Sequence, residues 1–168
     1  MSSEITLRAA TVADADALAD AWIQFGRYYV DLDPDLFRIP DADGLPAWFE
    51  SSLREDRGED ALWLVAERGD RVVGFVQARI WPPADDAAQQ LMQEVTEPIL
   101  KIDSIMVLGD ERGTGVGTAL MEASERWGRK HGATRSVVIS YADSPSSMPF
   151  YEERMGYRRH TVGFLKPL

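Results

Sequence analysis

Met106-Val107-Leu108-Gly109-Asp110-Glu111-Arg112-Gly113-Thr114-Gly115-Val116-Gly117-Thr118-Ala119-Leu120-Met121 is the stretch whose reading decides the fold. Just upstream, residues 102–108 are apolar except at Asp103 and Ser104, as in a central strand covered on both faces. Downstream, Val116, Leu120, Ala123 and Trp127 share one stripe of a helix that ends near Lys130-His131, with Gly132 placed as its cap. Between strand and helix stand Gly113, Gly115 and Gly117, behind Arg112. Such a junction collects unpaired backbone N–H groups and the positive end of the helix dipole, so it suits an anion. Glycine allows close approach and positive φ, and an arginine guanidinium can fork onto a phosphate. The residues predict a diphosphate site over positions 112–118.

Two familiar phosphate loops do not fit. A Walker loop needs Lys and Ser/Thr directly after its last glycine, whereas Thr118-Ala119 follow Gly117. A dinucleotide fingerprint needs G-x-G-x-x-G. Counted from Gly113 the third place holds Thr118, and from Gly115 it holds Leu120. A glycine-rich turn without a ligand is the remaining structural reading.

Working outward, residues 5–8 read as a strand. Thr11 with Asp14 marks a helix start, followed by Ala15, Leu18, Trp22 and Phe25 on one face. Residues 27–45 are rich in Asp, Pro and aromatics and are expected as an ordered, irregular loop. Pro46 suits the first turn of a second helix that buries Trp48, Phe49 and Leu53. Two apolar runs, 61–67 and 72–81, flank Arg68-Gly69-Asp70-Arg71, a hairpin. Residues 82–98 are polar, with one short helix expected around 89–95. Residues 136–141 read as a strand, 147–155 as a short helix closed by Gly156, and 157–165 as closing strand material. The order β-α-α-β-β-β-α-β-α-β predicts an α/β (mixed α+β) fold with helices on both faces of the sheet.

Composition narrows the function classes. A chain of 168 residues, 45% hydrophobic and 27% charged, fits one folded domain over residues 1–168. Its net charge of −10 argues against a nucleic-acid partner and leaves room for a cationic one such as an amine. No apolar run is long enough for a bilayer, so no membrane partner is expected. Met1-Ser2-Ser3-Glu4 lacks the basic-then-apolar pattern of a secretory signal, and a cytoplasmic location is expected. With no cysteine there is no disulfide scaffold and no cysteine nucleophile, and His131 and His160 stand too isolated to suggest a metal site.

The quoted stretch resembles the acetyl-CoA signature of the GCN5-related N-acetyltransferase (GNAT) family, whose core is R/Q-x-x-G-x-G/A. Arg112, Gly115 and Gly117 fill its three fixed places. The resemblance extends over nearly the whole chain. Ile5-Thr6-Leu7-Arg8-Ala9-Ala10-Thr11 with Asp14 resembles the family's first strand and helix. Leu64-Val65-Ala66-Glu67 with Arg71-Val72-Val73-Gly74-Phe75 resembles its hairpin, and Phe150-Tyr151-Glu152-Glu153-Arg154-Met155-Gly156-Tyr157 its closing element. It implies a mostly antiparallel sheet of six to seven strands. It implies transfer of an acetyl group from acetyl-CoA, without a metal, directly to an amine on a small molecule or a protein. A non-catalytic acyl-CoA binding or sensing module on the same fold is the alternative, and the apolar loops are compatible with a homodimer. The family often carries Asn and Ala seven and four residues before its helix tyrosine. Here Ser144 and Ser147 stand there, and Ser144 can still hydrogen-bond the pantetheine arm.

Three chemical tasks follow. Asp103, a lone carboxylate in an apolar strand, is a candidate general base, because burial would raise its pKa; the resemblance places an acidic residue there too. Its other reading is an ion pair with an arginine. Backbone N–H groups of Met106 and Val107 would stabilise the carbonyl oxygen, as the resemblance implies. Tyr151 matches the family's general acid for the departing thiolate, and otherwise packs against the CoA arm. Tyr28, Tyr29 and Phe37 are candidates to line the acceptor side.

Overall fold

The computed structural model describes residues 4–56 and 58–168. Met1–Ser3, on which the reading of the N-terminus partly rests, lie outside the described residues. Among the described residues the sheet has five strands in the order β1-β2-β3-β4-β5. β1 (Ile5–Ala9), β2 (Ala61–Arg68), β3 (Arg71–Trp81) and β4 (Ile99–Val107) form an antiparallel meander. The hairpin turns at Gly69, φ 64°, with Arg68 opposite Arg71, as the glycine and the flanking patterns predict. β5 (Arg135–Val138) joins β4 in parallel, which requires a crossover, and α3 (Val116–Lys130) supplies it.

Helices cover both faces. Asp14 accepts a hydrogen bond from the Thr11 N–H at 2.7 Å, and the Asp14 N–H donates to the Thr11 carbonyl at 2.9 Å, so the predicted start is closed reciprocally. From there α1 (Ala15–Leu32) buries Leu18 and half-buries Trp22 and Phe25. α2 (Leu45–Glu55), with Pro46 in its first turn, buries Phe49 and Leu53, whereas Trp48, expected on the same buried face, is 53% exposed and lies edge-on to the Phe49 ring. The buried side chains of both helices meet Trp63, Val65, Phe75 and Met106 on one face of the sheet. On the other face Leu120 and Met121 of α3 meet Val73, Val76, Leu100 and Ile102. Full burial of each such side chain stabilises the fold by ~1.5–3 kcal/mol.

Four further expectations need correction. Among the described residues the sheet has five strands rather than six to seven, because residues 157–165 form no strand there. α1 continues to Leu32, so the irregular segment starts later than position 27. Nothing breaks the helix there: Phe25 and Tyr29 keep the i, i+4 spacing, and Pro34 is the first residue unable to continue it. Gly26 within α1 is a crossing point, since a Cβ there would lie 2.5 Å from Pro40 Cδ. Residues 82–98 hold two single 3₁₀ turns, Ala87–Gln89 and Gln93–Val95, in place of one helix. Finally, His160 lies outside any strand and pairs with Glu94 at 2.8 Å.

Candidate active site

The site begins where β4 and β5 part. Their pairing runs from Ile99↔Arg135 to Ile102↔Val138 and stops, while β4 continues to Val107. On the opposite side of β4, Gln77 faces Ser104 but Ala78 faces Ile102, so Asp103 is the extra residue of a bulge. Beyond that bend the edge of β4 has no strand partner among the described residues. The Leu108 N–H donates to the Val73 carbonyl at 2.9 Å. Strand alternation therefore turns the N–H of Met106 toward β3, and those of Ile105 and Val107 toward the gap. Of the pair expected from the sequence, the Val107 N–H points to the gap and the Met106 N–H to β3, although both residues line the cleft.

At the end of β4 the glycine loop leads into α3. Gly113 and Gly115 adopt φ of 78° and 96°, and Gly115 is the N-cap of α3. The first helical bond is from the Ala119 N–H to the Gly115 carbonyl at 3.0 Å, so the N–H groups of residues 115–118 have no partner within the helix. Two acidic residues precede the loop, and both are paired with arginines of the β2–β3 hairpin. Glu111 sits 3.0 Å from Arg68, and Asp110 sits 2.7 Å from Arg71. The Arg112 guanidinium lies over the Tyr28 ring, 4.0 Å from its centroid. The helix end thus offers donors and positive charge with its neighbouring carboxylates compensated.

The facing wall is α4 (Ser147–Pro149), continued by a π turn at Phe150–Arg154. Gly117 lets it come close: a Cβ there would lie 3.3 Å from the Phe150 ring. α1 is tied to this wall by hydroxyls. Tyr28 and Ser146 share a hydrogen bond of 2.8 Å, and Tyr29 and Ser147 one of 3.3 Å. The three elements enclose a cleft of about 510 Å³. Tyr151 lines it, and burial pushes its phenol well above the ordinary tyrosine value, with Tyr29 and Tyr157 adding to the effect. The hydroxyl therefore stays protonated and able to donate at neutral pH.

The cleft brings together Tyr151, Met106, Val107, Arg112, Gly113, Gly115, Gly117 and Thr118. It does not include Thr114, Val116, Ser144 or Asp103. Thr114 donates to the Glu111 carbonyl at 2.8 Å and braces the loop from behind. The Val116 side chain is core, although its N–H belongs to the open helix end. Ser144 is 1% exposed and stands two residues ahead of Ser146, the N-cap of α4; its hydroxyl accepts from the Ser147 N–H at 3.2 Å and donates to Ser147 Oγ at 2.9 Å. Those bonds use the hydroxyl expected to hold the pantetheine arm. Asp103 pairs with Arg79 at 2.5 Å and with Lys101 at 3.4 Å, so the ion-pair reading is the one the geometry supports. Phe25, Ser146, Glu153 and Arg154 line the cleft without having been foreseen as site residues, and Ser147, noted in the sequence beside Ser144, lines it where Ser144 does not. Only the Ser146-Ser147 pair ahead of a helix carried a usable signal. Tyr28 lines the cleft as anticipated; Tyr29 and Phe37 pack beside it with Tyr141.

Among the described residues no group of three or more His, Cys, Asp or Glu side chains is placed to hold a metal, and no helix is long and apolar enough to cross a membrane. The Acetyltransferase (GNAT) family profile matches residues 22–157. By class the protein is an acyltransferase. The chain belongs to the GNAT acetyltransferase family. Solved structures share the fold. A single-substitution mutant of the BH1408 protein from Bacillus halodurans superposes with a TM-score of 0.82 at 22% identity, covering 97% of this chain and 99% of that one. AAC(6')-Iy, in complex with the bisubstrate analogue CoA-S-monomethyl-acetylneamine, gives 0.67 at 19% identity and 99% coverage of both chains. The aminoglycoside acetyltransferase meta-AAC0020 from an uncultured soil metagenomic sample, in complex with sisomicin, gives 0.65 at 15% identity, covering 98% and 96%. No curated protein sequence matches the chain significantly.

Proposed function

We propose that the protein is an N-acetyltransferase that passes the acetyl group of acetyl-CoA directly to an amine, on a small molecule or a protein. One observation carries the reading: the open N-terminus of α3, the parted edge of β4 and the protonated Tyr151 face one cleft. The residues present fit CoA. The N–H groups of residues 115–118 and the Arg112 guanidinium bind the diphosphate, and the parted edge of β4 takes the pantetheine arm as an extended strand would be taken. The Val107 N–H lies where an acyl oxygen could be stabilised. As the amine nitrogen attacks the thioester carbon and the C–S bond breaks, Tyr151 gives its proton to the departing sulfur and regains one from solvent. The proton lost by the amine passes to solvent at the open side of the cleft, because Asp103 is held by Arg79 and Lys101 and does not line it. Glu153 at the rim and the net charge of −10 favour a cationic acceptor. Incubation with acetyl-CoA and a broad amine panel, read by free-thiol release, tests the reading. Amine-dependent thiol release with acetylated product supports it; tight CoA binding without turnover on any amine would leave a binding module instead.

A further inference from the structure

Arginine pairing sets one side chain of the cleft apart. Arg8, Arg68, Arg71 and Arg79 each lie within ion-pair distance of a carboxylate. Arg112 does not. Among the described residues no Asp or Glu pairs with it and no hydrogen bond engages its N–H groups, although Asp110 and Glu111 directly precede it. Those two carboxylates are taken by Arg71 and Arg68 of the hairpin. Arg112 rests instead on an aromatic ring, its Cζ over Tyr28 at 4.0 Å from the centroid. Attraction to a π face uses none of the guanidinium donors, so the planar fork stays available to an anion.

The ring beneath is itself held. The Tyr28 hydroxyl shares a hydrogen bond of 2.8 Å with Ser146, the N-cap of α4. The ring stands edge-on to Tyr29, 5.3 Å between centroids at 86°, and Tyr29 is buried and shares a hydrogen bond of 3.3 Å with Ser147. One residue of α1 thus reaches both the wall at α4 and the loop before α3. A long side chain that must be immobilised when its ligand arrives ordinarily loses about threefold to tenfold in affinity. With Arg112 seated on a fixed ring, folding has already restricted it.

We propose that Tyr28 is a positioning residue for the cosubstrate, its ring holding the Arg112 guanidinium in the cleft so that the diphosphate of CoA meets the arginine and the open end of α3 together. Arg112, Gly115 and Thr118 line the same cleft as Tyr28. The inference rests on the acetyl-CoA reading of that cleft. It moves Tyr28 from the acceptor side, where the sequence suggests it, to the cosubstrate side, because its ring and its hydroxyl are both engaged within the chain.

Calorimetric titration of the intact chain with CoA, in the absence of any amine, tests it. Tyr28→Leu removes the ring and should weaken CoA binding by about threefold to tenfold. Tyr28→Gln also removes the ring but keeps a polar group for Ser146, and it should do the same. Should the Leu variant lose the parent's circular dichroism spectrum, the Gln variant decides. Tyr28→Phe keeps the ring and should bind within about twofold of the parent. Tyr28→Leu/Arg112→Ala should bind no more weakly than Arg112→Ala alone, because the ring acts only through the guanidinium. Additive losses in the double variant would overturn the proposal, as would a Phe variant as weak as the Leu one. Full affinity in the Leu and Gln variants, beside a weakened Arg112→Ala, would overturn it while leaving the diphosphate at residues 112–118. Full affinity in Arg112→Ala, or no CoA binding by the parent, would remove the cosubstrate reading and the proposal with it.

Discussion

The two halves of β4 carry opposite kinds of polarity. Before the bulge, Lys101 and Asp103 bring charged side chains into the strand, and both are answered: Asp103 faces Arg79 and Lys101, and the Lys101 ammonium also sits 4.0 Å from the centre of the Trp81 ring. After the bulge, Ile105, Met106 and Val107 bring no charged side chain at all, yet the edge they expose has unanswered backbone groups. The cleft lies along the second half. Reactivity in this fold therefore follows unpaired main-chain donors, and a conspicuous side chain in an apolar strand can be a finished ion pair.

The sharpest way to break that comparison is Tyr151→Phe. The aromatic ring remains against Phe150, 5.2 Å away, so the cleft keeps its shape. General-acid catalysis contributes ~10²–10⁴-fold, and kcat should fall within that range with little change in KM for acetyl-CoA. A normal kcat, measured where chemistry limits the rate, would reduce Tyr151 to a wall residue. Next in size is Gly115→Asp, which forces a side chain into φ of 96° and sets a negative charge against the helix end. Calorimetric titration with CoA should show affinity weakened by roughly 10²-fold, the sum of a ~1–2 kcal/mol strain and lost charge attraction. Unchanged affinity would move the diphosphate elsewhere.

Asp14→Asn probes a carboxylate that is structural by every contact. The Arg8 guanidinium beside Asp14, at 2.7 Å, holds its carboxyl below the usual aspartate value, with the Thr11 N–H helping. A depressed folded pKa contributes stability that is present above the unfolded value and lost as pH falls through the folded one. The variant should be less stable by about 1–2 kcal/mol at pH 7, and the gap should close as pH drops below ~3.9. Chemical denaturation at both pH values checks this, and a gap that widens in acid would contradict it. The smallest effect is expected from Asp103→Asn. Because Arg79 is more than one-third exposed, stability should fall by no more than about 1 kcal/mol. The pH–rate profile should keep its shape, and a loss concentrated at low pH would restore Asp103 as the base.

What could be read from the sequence was what glycine and periodicity dictate. Gly113, Gly115, Gly132 and Gly156 all take positive φ, at the loop and helix ends where they were expected. The alternation of residues 61–81 and the stripe from Val116 to Trp127 placed the hairpin and α3 within a residue or two of their ends. The misreadings share a cause. Whether Ser144 or Ser147 faces the cleft depends on how the turn before α4 brings the two hydroxyls together, and whether Asp103 is a base depends on Arg79, a residue 24 positions away. The 157–165 segment has strand composition, yet a strand exists only where another backbone is within reach. Each outcome is decided by a neighbour, and local pattern does not name neighbours.

Gly117 has a consequence for how such a chain can drift over generations. Its absent side chain is the space in which the Phe150 ring sits, 3.3–3.4 Å from where a Cβ would be. Position 117 opens the glycine loop into its helix, and position 150 precedes Tyr151, so on the proposed function one contact would join cosubstrate grip to proton donor. An alanine at 117 would push the ring by a few tenths of an ångström, and anything larger would need a smaller partner at 150 in the same lineage. The two positions are coupled beyond alanine: descendants of this chain with a larger side chain at 117 should carry a smaller one at 150.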